Sequence, residues 1–198
     1  MMRNQSRHNI ERISITKEEI NILPLASFEG EVKLITEANK VAYAFDEICD
    51  SEVVGFDTET RPSFHKGQRY DVSLMQLALP KKVFLFRLNH TGITKEMISF
   101  LENDEILKAG VGIRDDVKAL QRLKRFNADG FVELSSIAKS KGLQVESVKK
   151  LAGLLLGFRI SKNAQTSNWE AENYTEKQIS YAATDAWVCL ELYNYLMR

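Results

Sequence analysis

The stretch Val53-Val54-Gly55-Phe56-Asp57, running on into Thr58-Glu59-Thr60, decides the fold. A short apolar run that ends in acids predicts a buried strand. Residues two apart on a strand leave from the same face, so Asp57 and Glu59 would stand side by side at its end. Two such carboxylates repel each other and lose hydration. A divalent cation relieves both penalties, and Mg²⁺ and Mn²⁺ prefer oxygen ligands. Asp-x-Glu alone reads equally well as two solvated acids beyond a strand that has already ended.

Working outward, Pro62 to Tyr70 reads as a polar loop and Val72 to Leu79 as a strand. Pro80-Lys81 opens a tight connection to a strand over Val83–Phe86, so three strands follow one another as hairpins. The pattern then predicts a helix at about Thr94–Glu102, a strand over Ile106–Val111, a helix over Arg114–Phe126 and a short strand over Val132–Leu134. The last third is mainly helical: Ser135–Lys141, Val145–Leu156 and Thr175–Leu196. Upstream, Thr16-Lys17-Glu18-Glu19 has the form of a capping box, and Pro24 stops the helix it opens. Val32–Ile35 reads as a strand. Thr36 caps a helix reaching about Cys49, with Ala38, Val41, Ala42, Phe45 and Ile48 on one face. Residues 1–16 lack a sustained pattern and read as a mobile arm. Strands that first pair antiparallel and then alternate with helices predict an α/β architecture, a mixed β-sheet flanked by α-helices.

A chain of 198 residues that is 44% hydrophobic suits one domain with a short appendage. The charges balance, 27 basic against 27 acidic, so bulk charge does not draw this chain to polyanions. Phosphate handling would need a local basic patch or bound metal. Two isolated cysteines, Cys49 and Cys189, form neither a disulfide framework nor a zinc spacing, and both read as core-side residues. The polar first twenty residues carry no apolar signal-peptide core, and no apolar run is long enough to span a membrane. A cytoplasmic protein is expected.

Two further segments place acids on buried surfaces. Tyr181 and Asp185 are four apart on the last predicted helix, and Val188, Leu192 and Tyr195 continue the same stripe. In Gly110-Val111-Gly112-Ile113-Arg114-Asp115-Asp116 a strand ends and a helix begins. Acids in a first helical turn commonly just complement the helix dipole. Helical phase separates the two: Asp116 falls on the side of Leu120 and Leu123, Asp115 towards solvent. Four acids on three separated elements thus face inward, and one metal cluster explains them together.

These motifs resemble those of the DEDD 3′–5′ exonucleases, which share a ribonuclease-H-like fold. The first motif is Phe56-Asp57-Thr58-Glu59, the second Gly110-Val111-Gly112 with Asp116, the third Tyr181-Ala182-Ala183-Thr184-Asp185. The tyrosine marks the DEDDy branch. Leu74-Met75-Gln76-Leu77 and Ser167-Asn168-Trp169 match as flanking segments. The likeness is nearest to Werner-helicase exonuclease domains and more distant to ribonuclease D. It divides the chain into an N-terminal extension, 1–29, and an exonuclease domain, 30–198.

The resemblance implies hydrolysis of a polynucleotide from its 3′ end by two divalent ions, Mg²⁺ or Mn²⁺, releasing nucleoside 5′-monophosphates, with DNA slightly favoured over RNA. Asp57 would bridge both ions, Glu59 and Asp185 would complete the site of the attacking water, and Asp116 would support the second ion. Tyr181 would orient that water. The competing reading is a non-catalytic nucleic-acid-binding module of the same fold. For the rest of the strand, Lys66 and Arg69 in the polar loop are phosphate candidates, as are Lys162, Gln165, Ser167 and Asn168 before the last helix. Phe64 and Trp169 could stack on bases, and Met75 could wedge against the terminal base. Trp169 could equally pack on the last helix. Met75 and Leu77 on the second strand, and Leu151, Leu154 and Leu155 on a later helix, are read as core, the wedge being a further role that the resemblance offers Met75.

Overall fold

The computed structural model describes residues 12–65 and 67–198. The predicted arm therefore lies outside it as far as residue 11, and so does Lys66. Residues 13–16, assigned to that arm, pack instead: Ile15 is buried, and the Ile13 carbonyl accepts from the Gln144 amide at 2.8 Å. Thr16 and Glu19 form the expected capping box on α1 (Lys17–Ile22).

Six strands build one mixed sheet. They are β1 (Glu31–Ile35), β2 (Val53–Thr60), β3 (Val72–Ala78), β4 (Lys82–Arg87), β5 (Leu107–Gly110) and β6 (Phe131–Glu133), in the spatial order β1-β4-β3-β2-β5-β6. The central hairpins β2–β3 and β3–β4 are antiparallel, and β1–β4, β2–β5 and β5–β6 are parallel. β2 is longer than the apolar run alone predicts, because Thr58, Glu59 and Thr60 continue the ladder with β3 before a register shift ends it.

Strand alternation sorts β2 into two faces. Phe56 and Thr58 point to the face covered by α2 (Val41–Ile48), α4 (Lys95–Leu101) and α5 (Ile113–Leu123), where Phe45, Phe86 and Phe100 pack at 5.2–5.3 Å between ring centroids. Gly55 turns to the other face, covered by α8 (Glu176–Leu196). A Cβ on Gly55 would lie 2.0 Å from the Ala186 carbonyl oxygen, so only glycine lets α8 approach this closely. Behind α8 stand α6 (Leu134–Ser140) and α7 (Val148–Leu151).

Several local expectations change. Thr36 does not cap α2: a 3₁₀ turn at Ala38–Lys40 leads in, and no side chain caps either element. Its buried face is Val41, Ala44, Phe45 and Ile48, while Ala38 and Ala42 are exposed. The tight lead-in rotates the helix relative to one begun at Thr36. Cys49, just past the last turn, is exposed, whereas Cys189 is buried. A short helix, α3 (Leu88–Thr91), follows β4, and its four residues are too few for periodicity to reveal. The helix over 145–156 is two pieces, α7 capped by Ser147 and a π-helical turn at Ala152–Leu156. Leu123 is 36% exposed because α5 ends there. α8 is buried nearly all round rather than along one stripe. No helix among the described residues is long and apolar enough to cross a membrane.

Candidate active site

Asp57 and Glu59 emerge from β2 on the α8 face, opposite Gln76 and Leu74 of β3. Asp185 comes down from α8 one residue before Ala186, the residue in contact with Gly55. Carboxylate oxygens of Asp57, Glu59 and Asp185 all lie within 4.8 Å of one another. Three acids this close raise one another's affinity for protons. Burial first, then the Asp185 and Asp116 charges, push the Asp57 carboxyl well above its ordinary range. Burial and then Asp57 raise Glu59. Asp185 rises to about 6, mainly through burial, with the Tyr181 phenol and Lys149 opposing it. The Oδ1 atom of Asp185 is buried without a hydrogen-bond partner.

Asp116 reaches the site from the opposite face of the sheet. It lies in the first turn of α5, and the Thr58 hydroxyl donates to its Oδ1. Thr58 thus ties Asp116 to the strand residue between the two acids while leaving it outside the tight trio. Burial lifts Asp116 to about 6, and the Thr58 bond partly offsets that. Asp115 is exposed, as helical phase predicts. Gly112 holds a left-handed φ of 79° at the entry to α5, which turns the chain from β5 into the helix.

Sequence reading missed the group that supports this turn. Glu133, at the end of β6, accepts the Gly112 and Ile113 amides through Oε2 at 2.8 and 3.0 Å. Its Oε1 accepts the Ser135 amide and hydroxyl at 3.1 and 2.7 Å. One carboxylate therefore caps both α5 and α6. The signal available was an acid followed two residues later by serine at a strand-to-helix junction, which reads as a cap of one helix only.

Tyr181 lies one turn before Asp185 and is nearly buried. Burial, then Asp185 and Glu59, raise its phenol far above the ordinary value and keep it protonated. Lys149, unremarked in the sequence, places its ammonium 5.8 Å from the Tyr181 ring centroid and donates to Gln165 Oε1 at 3.1 Å. Its charge opposes the rise in Asp185 and Glu59. In sequence, Ser147-Val148-Lys149-Lys150 looks like an ordinary solvated helix start.

The substrate candidates divide. Met75 and Trp169 are both 0% exposed. Met75 packs in the core beneath β2, and Trp169 packs against Tyr174 and Tyr181 at 5.4 and 6.1 Å between ring centroids. Full burial agrees with the core reading of Met75 and the packing reading of Trp169, and leaves neither side chain free in this structure to wedge or stack against a base. Arg69 and Asn168 are exposed, and Asn168 lines a cleft of 330 Å³ with Arg61, Pro62, Phe64, His65, Gln68, Tyr70 and Thr166. Phe64 is 81% exposed there. Lys162 and Gln165 are exposed and Ser167 is half-buried. Leu151 and Leu155 are core, with Leu154 half-buried. The segment carrying Asn168 and Trp169 is pinned by buried Arg87, which donates to the Ala171 and Glu172 carbonyls and lies over Tyr174.

The mixed sheet thus carries an acid trio beneath a long helix. The chain belongs to the 3′–5′ exonuclease family, whose sequence model matches residues 32–198. It is 34% identical over 184 residues to the bifunctional 3′–5′ exonuclease/ATP-dependent helicase WRN of Mus musculus, covering 88% of this chain and 13% of that protein. The Exonuclease 3′–5′ domain-containing protein 2 of Mus musculus is 33% identical over 163 residues, covering 76% of this chain and 25% of that one. The chain thus spans a quarter or less of these relatives. Among solved structures, the Aedes aegypti Nibbler EXO domain superposes with a TM-score of 0.76 at 23% identity, covering 86% of this chain and 90% of that domain. These likenesses establish the ribonuclease-H-like exonuclease fold.

Proposed function

We propose that the chain hydrolyses the terminal phosphodiester bond of a polynucleotide from its 3′ end and releases nucleoside 5′-monophosphates. The observation that carries this reading is the convergence of Asp57, Glu59 and Asp185 within 4.8 Å, with an orphaned buried oxygen on Asp185, in a member of this family. An all-carboxylate donor set fits Mg²⁺ or Mn²⁺. Asp57, Glu59 and Asp185 would hold one ion, and Asp57 with Asp116 a second. Bound there, the ions supply an acidified water and charge to balance the phosphate.

The chain's own groups do the rest. Thr58 fixes the rotamer of Asp116. Tyr181, kept protonated by burial, orients the attacking water by donating to it rather than by acting as a base. Lys149 lies at the rim of the cluster, where its ammonium can meet a phosphate oxygen. DNA is put slightly ahead of RNA as the substrate, and the matched digestion decides between them.

Digestion of a 5′-labelled single strand, as matched DNA and RNA, tests this. The expected result is a ladder shortened from the 3′ end, dependent on Mg²⁺ or Mn²⁺, with a circular strand spared. Activity that survives both chelator and Asp57→Ala rejects the mechanism. Binding without cleavage under any divalent ion makes the domain a non-catalytic module.

A further inference from the structure

The chain carries no net charge, yet one groove collects cations. It has a volume of 770 Å³ and lies between the N-terminal segment and residues 147–163. Lys17, Lys149, Lys150, Arg159 and Lys162 line it, and none of its described lining residues is acidic. None of these five cations forms a salt bridge among the described residues. Lys149 also feels the Asp185 and Glu59 carboxylates, and an anionic ligand that bridges the other four cations relieves their mutual repulsion.

The groove adjoins a second, smaller cavity of 290 Å³, lined in part by Glu176, Tyr181 and Asp185. Ser161 and Asn163 belong to the walls of both. Lys149 spans the same junction, facing the groove and lying 5.8 Å from the Tyr181 ring.

One wall comes from residues that precede the family match at 32–198. This segment is built onto the domain rather than draped over it. The Ala26 amide donates to the Arg159 carbonyl and the Arg159 amide to the Pro24 carbonyl, both at 2.9 Å. Arg159 Nε donates to the Leu23 carbonyl at 3.1 Å, and the Phe28 amide to Thr184 Oγ1 at 3.0 Å. A Cβ on Gly153 would lie 3.2–3.4 Å from Ile15, Ile20 and Leu23, so the bare π-helical turn is the seat of this segment.

We propose that this groove binds the sugar-phosphate backbone of a single-stranded polynucleotide and leads it to the acid cluster, with the N-terminal segment as part of the binding surface. Its volume, its run of cations without salt bridges and its junction with a cavity that reaches Tyr181 and Asp185 suit a chain of phosphates better than a single small anion. The identity of the ligand rests on the exonuclease reading; the existence of the groove does not.

The test is fluorescence anisotropy with labelled oligo(dT) and oligo(U) of about 20 nucleotides, in chelator so that nothing is cleaved. The triple variant Lys17→Glu/Lys150→Glu/Lys162→Glu should weaken binding of the strand by about tenfold or more and flatten the salt dependence by about 2 in log–log slope. Lys17→Glu alone should weaken it measurably, because the N-terminal wall takes part. A charge-matched control, Lys81→Glu/Lys95→Glu/Lys118→Glu, should retain most of the affinity. Equal losses in the triple variant and the control overturn the proposal, as does a wild-type protein that binds neither strand. Poly-glutamate that competes as well as the oligonucleotides also overturns it, in favour of an acidic protein partner. Hydrolysis of a nucleoside 5′-monophosphate nitrophenyl ester by the wild-type protein is read separately. Its absence under Mg²⁺ and Mn²⁺ sinks the exonuclease reading, while the binding arm still judges the groove.

Discussion

The two faces of β2 obey opposite rules. On one, Phe56 enters an aromatic core in which Phe45, Phe86 and Phe100 satisfy one another by contact. On the other, Gly55, Asp57 and Glu59 leave room for α8 and present carboxylates that raise one another's pKa. A strand period of two lets a single segment serve both purposes. Apolar packing on both faces, the aromatic cluster on one and the α8 cluster on the other, holds an arrangement of acids that is unfavourable without a cation. Gln76, opposite Asp57, fits the same pattern: its side chain is fully buried and both polar atoms lack partners.

Crossed measurements on the two faces would break this contrast if it is wrong. The largest effect belongs to Asp57→Ala, expected to lower kcat/KM by about 10³-fold or more. The metal-free variant should unfold no more readily than the wild type, because a repelling charge has been removed. Thermal denaturation alongside the assay checks both halves. Phe86→Ala should do the reverse, costing about 3–5 kcal/mol of stability. Its specific activity per folded molecule at low temperature should remain close to wild type. Gly55→Ala strikes stability and activity together, since its Cβ would meet the Ala186 carbonyl at 2.0 Å on the α8 face. Displacing α8 should destabilise the fold by about 1–3 kcal/mol and move Asp185 away from Asp57, with activity falling alongside.

The smallest effect is one of pH. Asp185 and Asp116 have values near 6 in the fold against an ordinary 3.8. Between these limits the metal-free fold binds more protons than the unfolded chain, so its stability falls as pH rises through about 6. Raising the pH from about 5 to 7 should lower the melting temperature of the metal-free protein by about 2–4 °C for each kcal/mol of penalty. Mg²⁺ should flatten that slope, and calorimetric scans with and without the ion measure the difference. A slope unaltered by Mg²⁺ would place the ions elsewhere.

The architecture was legible where periodicity is strong. The hairpin strands, the mixed sheet and α8 follow from alternating or apolar runs of sufficient length. Asp116 was separable from Asp115 because helical phase is a local property. For Met75 and Trp169 the packing readings hold and the substrate roles do not, because a motif position does not reveal which side of a strand or loop faces solvent. Glu133 and Lys149 were invisible for a related reason. Each acts on residues remote in the chain, Glu133 on Gly112 across the β5–β6 pair and Lys149 on Tyr181 through the packing of α8. Ile15 fell within the predicted mobile arm because an isolated apolar residue shows no period, and its neighbour at Gly153 is remote in the chain.

The most direct measurement is a calorimetric titration of the metal-free protein with Mn²⁺, comparing wild type with Asp185→Asn. The wild type should bind Mn²⁺ with release of protons, because carboxyls held protonated by their neighbours must ionise to coordinate it. Asp185→Asn should lose at least one ion and the accompanying protons while keeping its fold. Unchanged Mn²⁺ binding in a folded Asp185→Asn variant would show that the trio of Asp57, Glu59 and Asp185 is not the metal site.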